Sequence, residues 1–196
     1  MPEPAPLDPQ RTALLVMDYQ PTIVAIAGDD ADALVARAAA AIGRARAAGA
    51  HVGYVRVAFT AEDRAAIPER NRTFSQVAAG GRLADGDPDA EVHPDLRPAE
   101  GDVVVTKTRT GAFSTTDLAG RLAALGVDTL VLAGISTSGV VLSTVRDAAD
   151  RDYRLLVLAD CCADPDGEVH RVLMEKVLPR QVEVIDLEAF ARLLAA

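Results

Sequence analysis

Six short runs of apolar, strand-favouring residues recur along the chain, and most of them are continuous rather than alternating. The runs are Thr12–Met17, His51–Val57, Asp102–Thr106, Thr129–Ala133, Arg154–Ala159 and Val182–Ile185. Successive side chains of a strand point to opposite faces of a sheet, so an unbroken apolar run predicts cover on both faces. That pattern is typical of parallel sheets buried between helices. The runs therefore restrict the fold to a layered arrangement with a central sheet.

Helical patterns fill the spaces between these runs. The predicted helices are Asp30–Ala48 before Gly49, a helix capped by Ser114 or Thr115 and ending at Leu125 before Gly126, Gly139–Arg151, and Asp166–Leu178 before Pro179. Glycine after a helix and proline beyond it are common stop signals. Strand and helix alternate almost throughout, which indicates βαβ units. We predict an α/β fold, a three-layer α/β/α sandwich with a mainly parallel, six-stranded, Rossmann-like sheet, in a single domain over residues 1–196.

One segment interrupts the alternation. From Thr60 to Gly101 the chain is polar and rich in Gly, Pro and Asp, with one predicted helix over Arg72–Ala79. Long excursions inside a compact domain are usually functional or disordered. We interpret residues 60–101 as a cap over the active site, and the alternative is a solvated surface loop. The side chains that a cap would bring to the site are Arg64, Arg70, Arg72 and Phe74.

Composition restricts the partners. The net charge is −9, which argues against a nucleic-acid groove or an anionic membrane surface but not against a small anionic substrate. No apolar run approaches the roughly 20 residues of a membrane span. The start, Met1–Leu7, lacks the basic and apolar regions of a secretory signal. Cys161 and Cys162 are adjacent and are the only cysteines, so no disulfide framework is expected. We predict a cytoplasmic protein.

Chemically active side chains follow three of the predicted strands. Asp18 ends the first, Lys107 ends the third, and Gly134–Gly139 forms a polar turn between the fourth strand and a helix. Ligands of open parallel sheets bind at the carboxyl ends of the strands, where these groups should meet. Burial would raise the pKa of Asp18 and a nearby ammonium would lower it. Taken singly, Asp18 could be a strand-ending cap and Lys107 a solvated lysine. Together they are more informative, because a buried charge needs a partner.

These residues lie in a longer resemblance. Ala13–Gln20 is similar to the first-strand motif of the isochorismatase-like, or cysteine hydrolase, superfamily. Val105–Phe113 resembles its lysine motif, and Leu132–Tyr153 resembles its nucleophile-helix motif. Arg154–Asp160 and His170 continue the pattern, so the resemblance covers nearly the whole chain. The superfamily includes isochorismatases, nicotinamidases and N-carbamoylsarcosine amidase.

The resemblance implies an active site with Asp18 as general acid or base and Lys107 as its partner. It also implies an oxyanion hole at the Gly134–Thr137 turn, with a cis peptide bond at Ile135–Ser136. Family members form dimers and larger assemblies, so self-association is expected, with the Gly139–Arg151 helix as a possible contributor. The residues expected to line the pocket are Gln20, Arg72, Phe74, Phe113, Ile135, Ser136, Thr137, Gly139 and Val140.

The sequence departs from the family at the nucleophile. The family cysteine should stand at position 140, where this chain has Val140, and Cys161 and Cys162 follow the next strand as packing or rim residues. The metal-binding motif of nicotinamidases is also missing after the second strand, so we expect no metal and no cofactor. Isochorismatases, some of which lack the cysteine, are the better analogy, and they belong to secondary metabolism. The resemblance then favours ether or vinyl-ether hydrolysis of a small molecule over amide hydrolysis.

Several alternatives remain open. Without the cysteine, the chain could be a ligand-binding or scaffold relic of a hydrolase fold, since fold does not fix function. An amidase is less favoured. A serine hydrolase would use Ser136 with Asp160 and His170, but Ser138 occupies a glycine position of the usual nucleophile motif. A phosphate-binding loop at Gly134–Gly139 is disfavoured, because it lacks the Lys-Ser/Thr pair.

Overall fold

A six-stranded parallel sheet organises the chain, with the strand order β3-β2-β1-β4-β5-β6. In the computed structural model, which describes residues 4–195, the strands are β1 (Thr12–Met17), β2 (His51–Val57), β3 (Val103–Lys107), β4 (Thr129–Ile135), β5 (Arg154–Ala163) and β6 (Glu183–Ile185). The predicted α/β class and parallel sheet are confirmed. The expected lack of a secretory signal rests partly on residues 1–3, which lie outside the described residues.

Eight α-helices connect and flank the strands within the described part of the chain. They are α1 (Pro21–Val24), α2 (Ala31–Ala48), α3 (Ala61–Ala65), α4 (Arg72–Ala79), α5 (Leu118–Ala124), α6 (Leu142–Ala149), α7 (Gly167–Val172) and α8 (Leu187–Ala195). π-Helical turns at Thr137–Val141 and Leu173–Val177 lead into α6 and extend α7, and 3-10 turns occupy Pro9–Arg11, Ala25–Asp30, Pro88–Ala90, Pro94–Leu96 and Leu178–Arg180. None of the helices in residues 4–195 is both long and apolar enough to cross a membrane.

The core has two layers, one on each face of the sheet. Alternate residues of β1, such as Leu14 and Val16, pack with α2 and α8, whereas Ala13 and Leu15 pack with α5 and α6. All six residues of β1 are buried, as the continuous apolar run predicts. The helix α2 ends at Gly49, whose φ of 80° is the left-handed conformation that glycine adopts at low cost. The three-layer sandwich is therefore confirmed.

The helix after β3 starts later than predicted. We expected a cap at Ser114 or Thr115, but α5 begins at Leu118 after Asp117. Thr115 has a φ of 63°, a left-handed conformation that cannot open a helix, and its hydroxyl accepts a hydrogen bond from the backbone N–H of Thr108 at 3.0 Å. The threonine that resembles a helix cap therefore closes the loop after β3 instead.

The excursion 60–101 folds back over the carboxyl end of β2. Phe74 of α4 packs edge-to-face on Phe59, with ring centroids 6.0 Å apart, and both rings are buried. The Arg64 guanidinium lies 5.4 Å from the centre of the Phe59 ring and donates hydrogen bonds to backbone carbonyls, among them that of Arg82 at 2.5 Å. The helix over Arg72–Ala79 has the predicted bounds. These contacts give the segment a small apolar core of its own.

Candidate active site

Asp18 and Lys107 meet at the carboxyl edge of the sheet. The Lys107 Nζ donates a hydrogen bond to Asp18 Oδ2 at 2.8 Å, and the two side chains are 2% and 8% exposed. Asp18 follows β1 and Lys107 ends β3, with β2 between them, so the long lysine side chain crosses the end of the middle strand. Lys107 Nζ also donates to the backbone carbonyl of Arg109 at 3.2 Å. The pair predicted from the strand ends is present as a buried ion pair.

Asp18 has one free oxygen. Its Oδ1 is buried and has no hydrogen-bond partner in the described chain, whereas Oδ2 is held by Lys107. Burial raises the pKa of Asp18, and the Lys107 ammonium partly opposes the shift. The backbone of Asp18 has a φ of 58°, a left-handed conformation that aspartate tolerates better than most residues. A carboxyl group with a raised pKa and one uncommitted oxygen can donate a proton to a bound molecule.

The turn after β4 forms the second wall of this edge. Met17 pairs with Gly134 across β1 and β4, so the residues that follow, Asp18 and Ile135, lie side by side at this edge. The peptide bond between Ile135 and Ser136 is cis, as expected. A Cβ atom at Gly139 would lie 2.7 Å from the Ser136 Oγ, so a larger residue there would require the Ser136 side chain to move. Ser136 and Gly139 are half-buried, and their backbones face each other across the turn.

Contacts from β5 and α7 hold the turn, and no pattern in the sequence predicted them. The fully buried Thr137 hydroxyl lies 2.8 Å from His170 Nδ1 and 3.2 Å from the Ala163 carbonyl. The backbone N–H of Ser138 donates to Asp164 Oδ2 at 2.7 Å. Burial lowers the pKa of His170, against a smaller opposing effect of Asp164. His170 therefore supports the turn as a neutral group near pH 7.

This arrangement does not assemble a serine triad. His170 contacts Thr137 rather than Ser136, and the Asp160 carboxylate accepts a hydrogen bond from the backbone N–H of Leu187 at 3.1 Å. The order Ser136, Asp160, His170 along the chain therefore does not correspond to a relay in space.

Three predicted pocket residues have other roles. Gln20 is fully buried. Its side-chain N–H donates to the carbonyls of Val57 and, at 2.6 Å, Ala90, and its side-chain oxygen accepts from the N–H of Val57. Phe113 stacks on Tyr153, with centroids 6.0 Å apart, against the far end of α6. The Ile135 side chain packs in the core layer with α2 and α8. The resemblance places Gln20 and Phe113 in the pocket, and in the structure both side chains are committed to these contacts.

The cap arginines also differ from expectation. Arg70 and Arg72 are exposed, and Arg64 is committed to carbonyls within the cap. Phe74 is buried at the base of the cap, and the guanidinium of Arg109 lies 5.8 Å from its ring centre. The arginine that meets the cap near Lys107 is thus Arg109, which follows β3.

Position 140, where the resemblance predicts the family cysteine, is a buried valine. Val140 is 2% exposed and packs in the core layer with α5 and α6. Burial, with smaller contributions from nearby groups, raises the pKa of Cys161 above its usual range and that of Cys162 to about 12. Both cysteines are buried, free thiols in β5. They have the character of packing residues.

The chain resembles one family of known proteins over most of its length. The isochorismatase domain family matches residues 12–189. The chain belongs to the isochorismatase family. An isochorismatase-family protein of Burkholderia thailandensis has the same fold, with a TM-score of 0.85 and 25% identity, covering 98% of this chain and 100% of that one.

Curated members of the isochorismatase family resemble the chain over most of its length. The phenazine biosynthesis protein PhzD of Pseudomonas fluorescens is 36% identical over 181 residues, covering 91% of this chain and 84% of that protein. The ureidoacrylate amidohydrolase RutB of Pantoea ananatis is 34% identical over 179 residues, covering 81% of this chain and 72% of that one. The family thus includes proteins named for different reactions, and the choice between them depends on the site.

Proposed function

We propose that the chain is an isochorismatase-family hydrolase that cleaves an ether or vinyl ether in a small molecule by acid catalysis. Asp18 is the general acid and Lys107 is its partner. The observation that carries the proposal is the free, buried Oδ1 of Asp18 beside the Lys107 ion pair. Burial raises the pKa of this carboxyl group, which favours its protonated form.

The reaction needs no nucleophilic side chain. Protonated Asp18 gives its proton to the enol-ether carbon, which leaves a cation shared between the neighbouring carbon and the ether oxygen. Water adds to that carbon and returns a proton to Asp18. The resulting hemiketal breaks its carbon–oxygen bond, releasing an alcohol and a carbonyl compound. Lys107 holds Oδ2 and so orients the acid, while the oxyanion hole that the resemblance implies at the Gly134–Thr137 turn binds polar groups of the substrate.

Covalent amide hydrolysis fits this site less well. It would need a thiolate at position 140, where a buried valine stands, and both thiols of the chain are buried in β5 with raised pKa values. The likeness to PhzD, a protein of phenazine biosynthesis, supports a place in secondary metabolism. By the same reasoning, self-association and a cytoplasmic location remain part of the proposal.

The test compares two classes of substrate with two variants. Purified protein is incubated with a panel of enol-pyruvyl ethers, including isochorismate, and a panel of primary amides and ureido acids. We expect turnover of an ether and, in D2O, one solvent deuterium on the former enol carbon of the product. Asp18→Asn should keep the fold and lower kcat by about 10²- to 10⁴-fold. The exposed Asp32 provides the control, since Asp32→Asn should leave kcat unchanged.

Two results would contradict the proposal. Turnover of amides alone would move the chain to the amidohydrolases, and unchanged kcat in Asp18→Asn would remove Asp18 from the reaction. Tight binding of a panel compound without turnover would instead identify a ligand-binding protein on the hydrolase fold.

A further inference from the structure

One guanidinium beside the proposed active site forms no ion pair within the described chain, although its charge reaches the Asp63 carboxylate. Arg109 is half-buried, and the bond its side chain makes is to the carbonyl of Thr108 at 2.6 Å. Among residues 4–195, no carboxylate oxygen lies within ion-pair distance of it. A guanidinium has five N–H donors, so most of its hydrogen-bonding capacity is uncommitted.

The backbone of Arg109 lies in the wall of the site. Its carbonyl accepts a hydrogen bond from the Lys107 Nζ at 3.2 Å, the same ammonium that holds Asp18. The next residue, Thr110, places its Cγ2 3.9 Å from the Cβ position of Gly139 in the turn after β4. The segment 109–110 therefore connects the acid pair to the turn, within reach of a molecule bound between them.

The Arg109 guanidinium lies against Phe74 of α4. Its Cζ lies 5.8 Å from the centre of the Phe74 ring, which is buried against Phe59. Hydrogen bonds from Thr60 and, more weakly, the charge of Arg109 lower the pKa of Asp63, so the cation lies close to the cap. An arginine stacked on an aromatic ring is partly pre-organised, because its plane is fixed before a ligand binds.

The other arginines near this edge are not available in the same way. Arg56 forms ion pairs with Asp85 at 2.8 Å and Glu91 at 2.9 Å. Arg64 is saturated by carbonyls of the cap, and Arg72 is exposed. Among these arginines, Arg109 is the half-buried one that forms no ion pair within the described chain and lies two residues after Lys107 in the wall of the site.

The geometry points to Arg109 as the residue that selects a carboxylate-bearing substrate, holding that carboxylate while Asp18 protonates the scissile ether. A guanidinium pairs with a carboxylate through two parallel N–H donors. This inference rests on the proposed function for its orientation toward Asp18. Carboxylate selection by Arg109 can nevertheless be measured without catalysis.

Binding of small carboxylates and their primary amides measures this selection directly. Benzoate, fumarate and 4-hydroxybenzoate are titrated against the protein by ligand-observed NMR, alongside benzamide, fumaramide and 4-hydroxybenzamide. We expect the carboxylates to bind more tightly than the amides. Arg109→Gln should raise the Kd of the carboxylates by about 10- to 100-fold and leave that of the amides unchanged.

Three further variants separate recognition from packing. Arg109→Lys keeps the charge but loses the planar fork, so it should restore only part of the affinity. Phe74→Leu should weaken carboxylate binding less than Arg109→Gln does, because the charge remains. Arg97→Gln removes an exposed arginine of the 60–101 segment and should change neither set of Kd values.

The results distinguish this inference from the proposed function. Equal affinity for carboxylates and amides in the wild type, or carboxylate binding that Arg109→Gln leaves intact, overturns the inference even if Asp18-dependent turnover is found. Tighter binding of inorganic phosphate than of every carboxylate also overturns it. Conversely, Arg109-dependent carboxylate binding in a protein that hydrolyses nothing supports the inference and contradicts the proposed function.

Discussion

Asp18 and Lys107 depend on each other for their burial. Each side chain is under 10% exposed. Removing one partner of a buried ion pair leaves the other charge uncompensated, which costs several kcal/mol. The ion pair offsets part of that cost, while the free Oδ1 leaves part of it uncompensated. Native proteins rarely leave buried polar atoms unpaired, so this oxygen is better explained by chemistry than by stability.

Removing the lysine should therefore destabilise the protein in a pH-dependent way. Burial raises the pKa of Asp18 above its ordinary value of 3.8, and Lys107 opposes the shift. In Lys107→Met the opposing charge is lost, so the folded-state pKa rises further. The resulting penalty is complete above the folded-state pKa, shrinks as the pH falls through it and disappears below 3.8.

We expect Lys107→Met to lower the free energy of unfolding by about 3–5 kcal/mol at pH 7.5, and by less at pH 5. Urea unfolding at the two pH values measures the difference. The chain's other lysine is exposed, so Lys176→Met is the matched control and should change stability by no more than about 0.5 kcal/mol. Equal losses at both pH values would show that Asp18 stays ionised without its partner.

At the scale of elements, the turn between β4 and α6 is fixed by groups that arrive from β5 and α7. The turn begins as a π-helix at Thr137–Val141, earlier than the predicted helix start at Gly139. The Thr137 hydroxyl forms hydrogen bonds with both the Ala163 carbonyl and His170 Nδ1. The shape of this wall of the site therefore depends on one hydroxyl group.

Removing that hydroxyl should affect both stability and turnover. Thr137→Val keeps the side-chain shape but leaves the half-buried Ala163 carbonyl and His170 Nδ1 without their partner. We expect a loss of about 1–3 kcal/mol in the free energy of unfolding, together with a lower kcat on the substrate found in the panel. Thr137→Ser keeps the hydroxyl and serves as the control. If the valine variant matches the serine variant in both measurements, the hydrogen bonds do not position the turn.

The α6 helix shows how an open question at the element scale is decided by packing. Val141, Leu142 and Val145 could have formed a subunit interface or a core. Val141 and Val145 are fully buried against the sheet, and Leu142 packs beside them. The apolar side chains of Val141 and Val145 are thus used within the chain.

At the scale of the whole molecule, the sheet order brings the ends of β3, β2, β1 and β4 together at one edge. The acid pair, the turn and Arg109 come from three separate stretches of sequence and meet there. The acidic net charge of −9 is compatible with an anionic substrate, because a half-buried guanidinium acts over a few ångströms.

The reaction proposed for this edge needs no metal. In residues 4–195 no three His, Cys, Asp or Glu side chains are grouped in a way that could hold a metal ion. We therefore expect dialysis against EDTA to leave kcat and the melting temperature unchanged. Metal analysis of the purified protein by mass spectrometry checks this, and one tightly bound Zn²⁺ or Fe ion per chain would contradict the prediction.

The sequence by itself determined the layers and the position of the acid pair. The bounds of β1 and β2 match the predicted runs, because an unbroken apolar run can be satisfied only by burial on both faces. Asp18 and Lys107 could be placed together because the carboxyl ends of parallel strands share an edge. The family resemblance added the cis peptide bond at Ile135–Ser136.

Only the tertiary structure decided how the loops at that edge are used. Gln20 forms hydrogen bonds to the backbone of β2, and Phe113 packs on Tyr153. Arg109 lies beside Phe74, whereas Arg72 is exposed. These outcomes depend on partners distant in sequence and on loop backbones such as the left-handed Thr115. Periodicity reports which face of a strand or helix is buried, but a loop has no period, so its side-chain directions follow only from the packing around it.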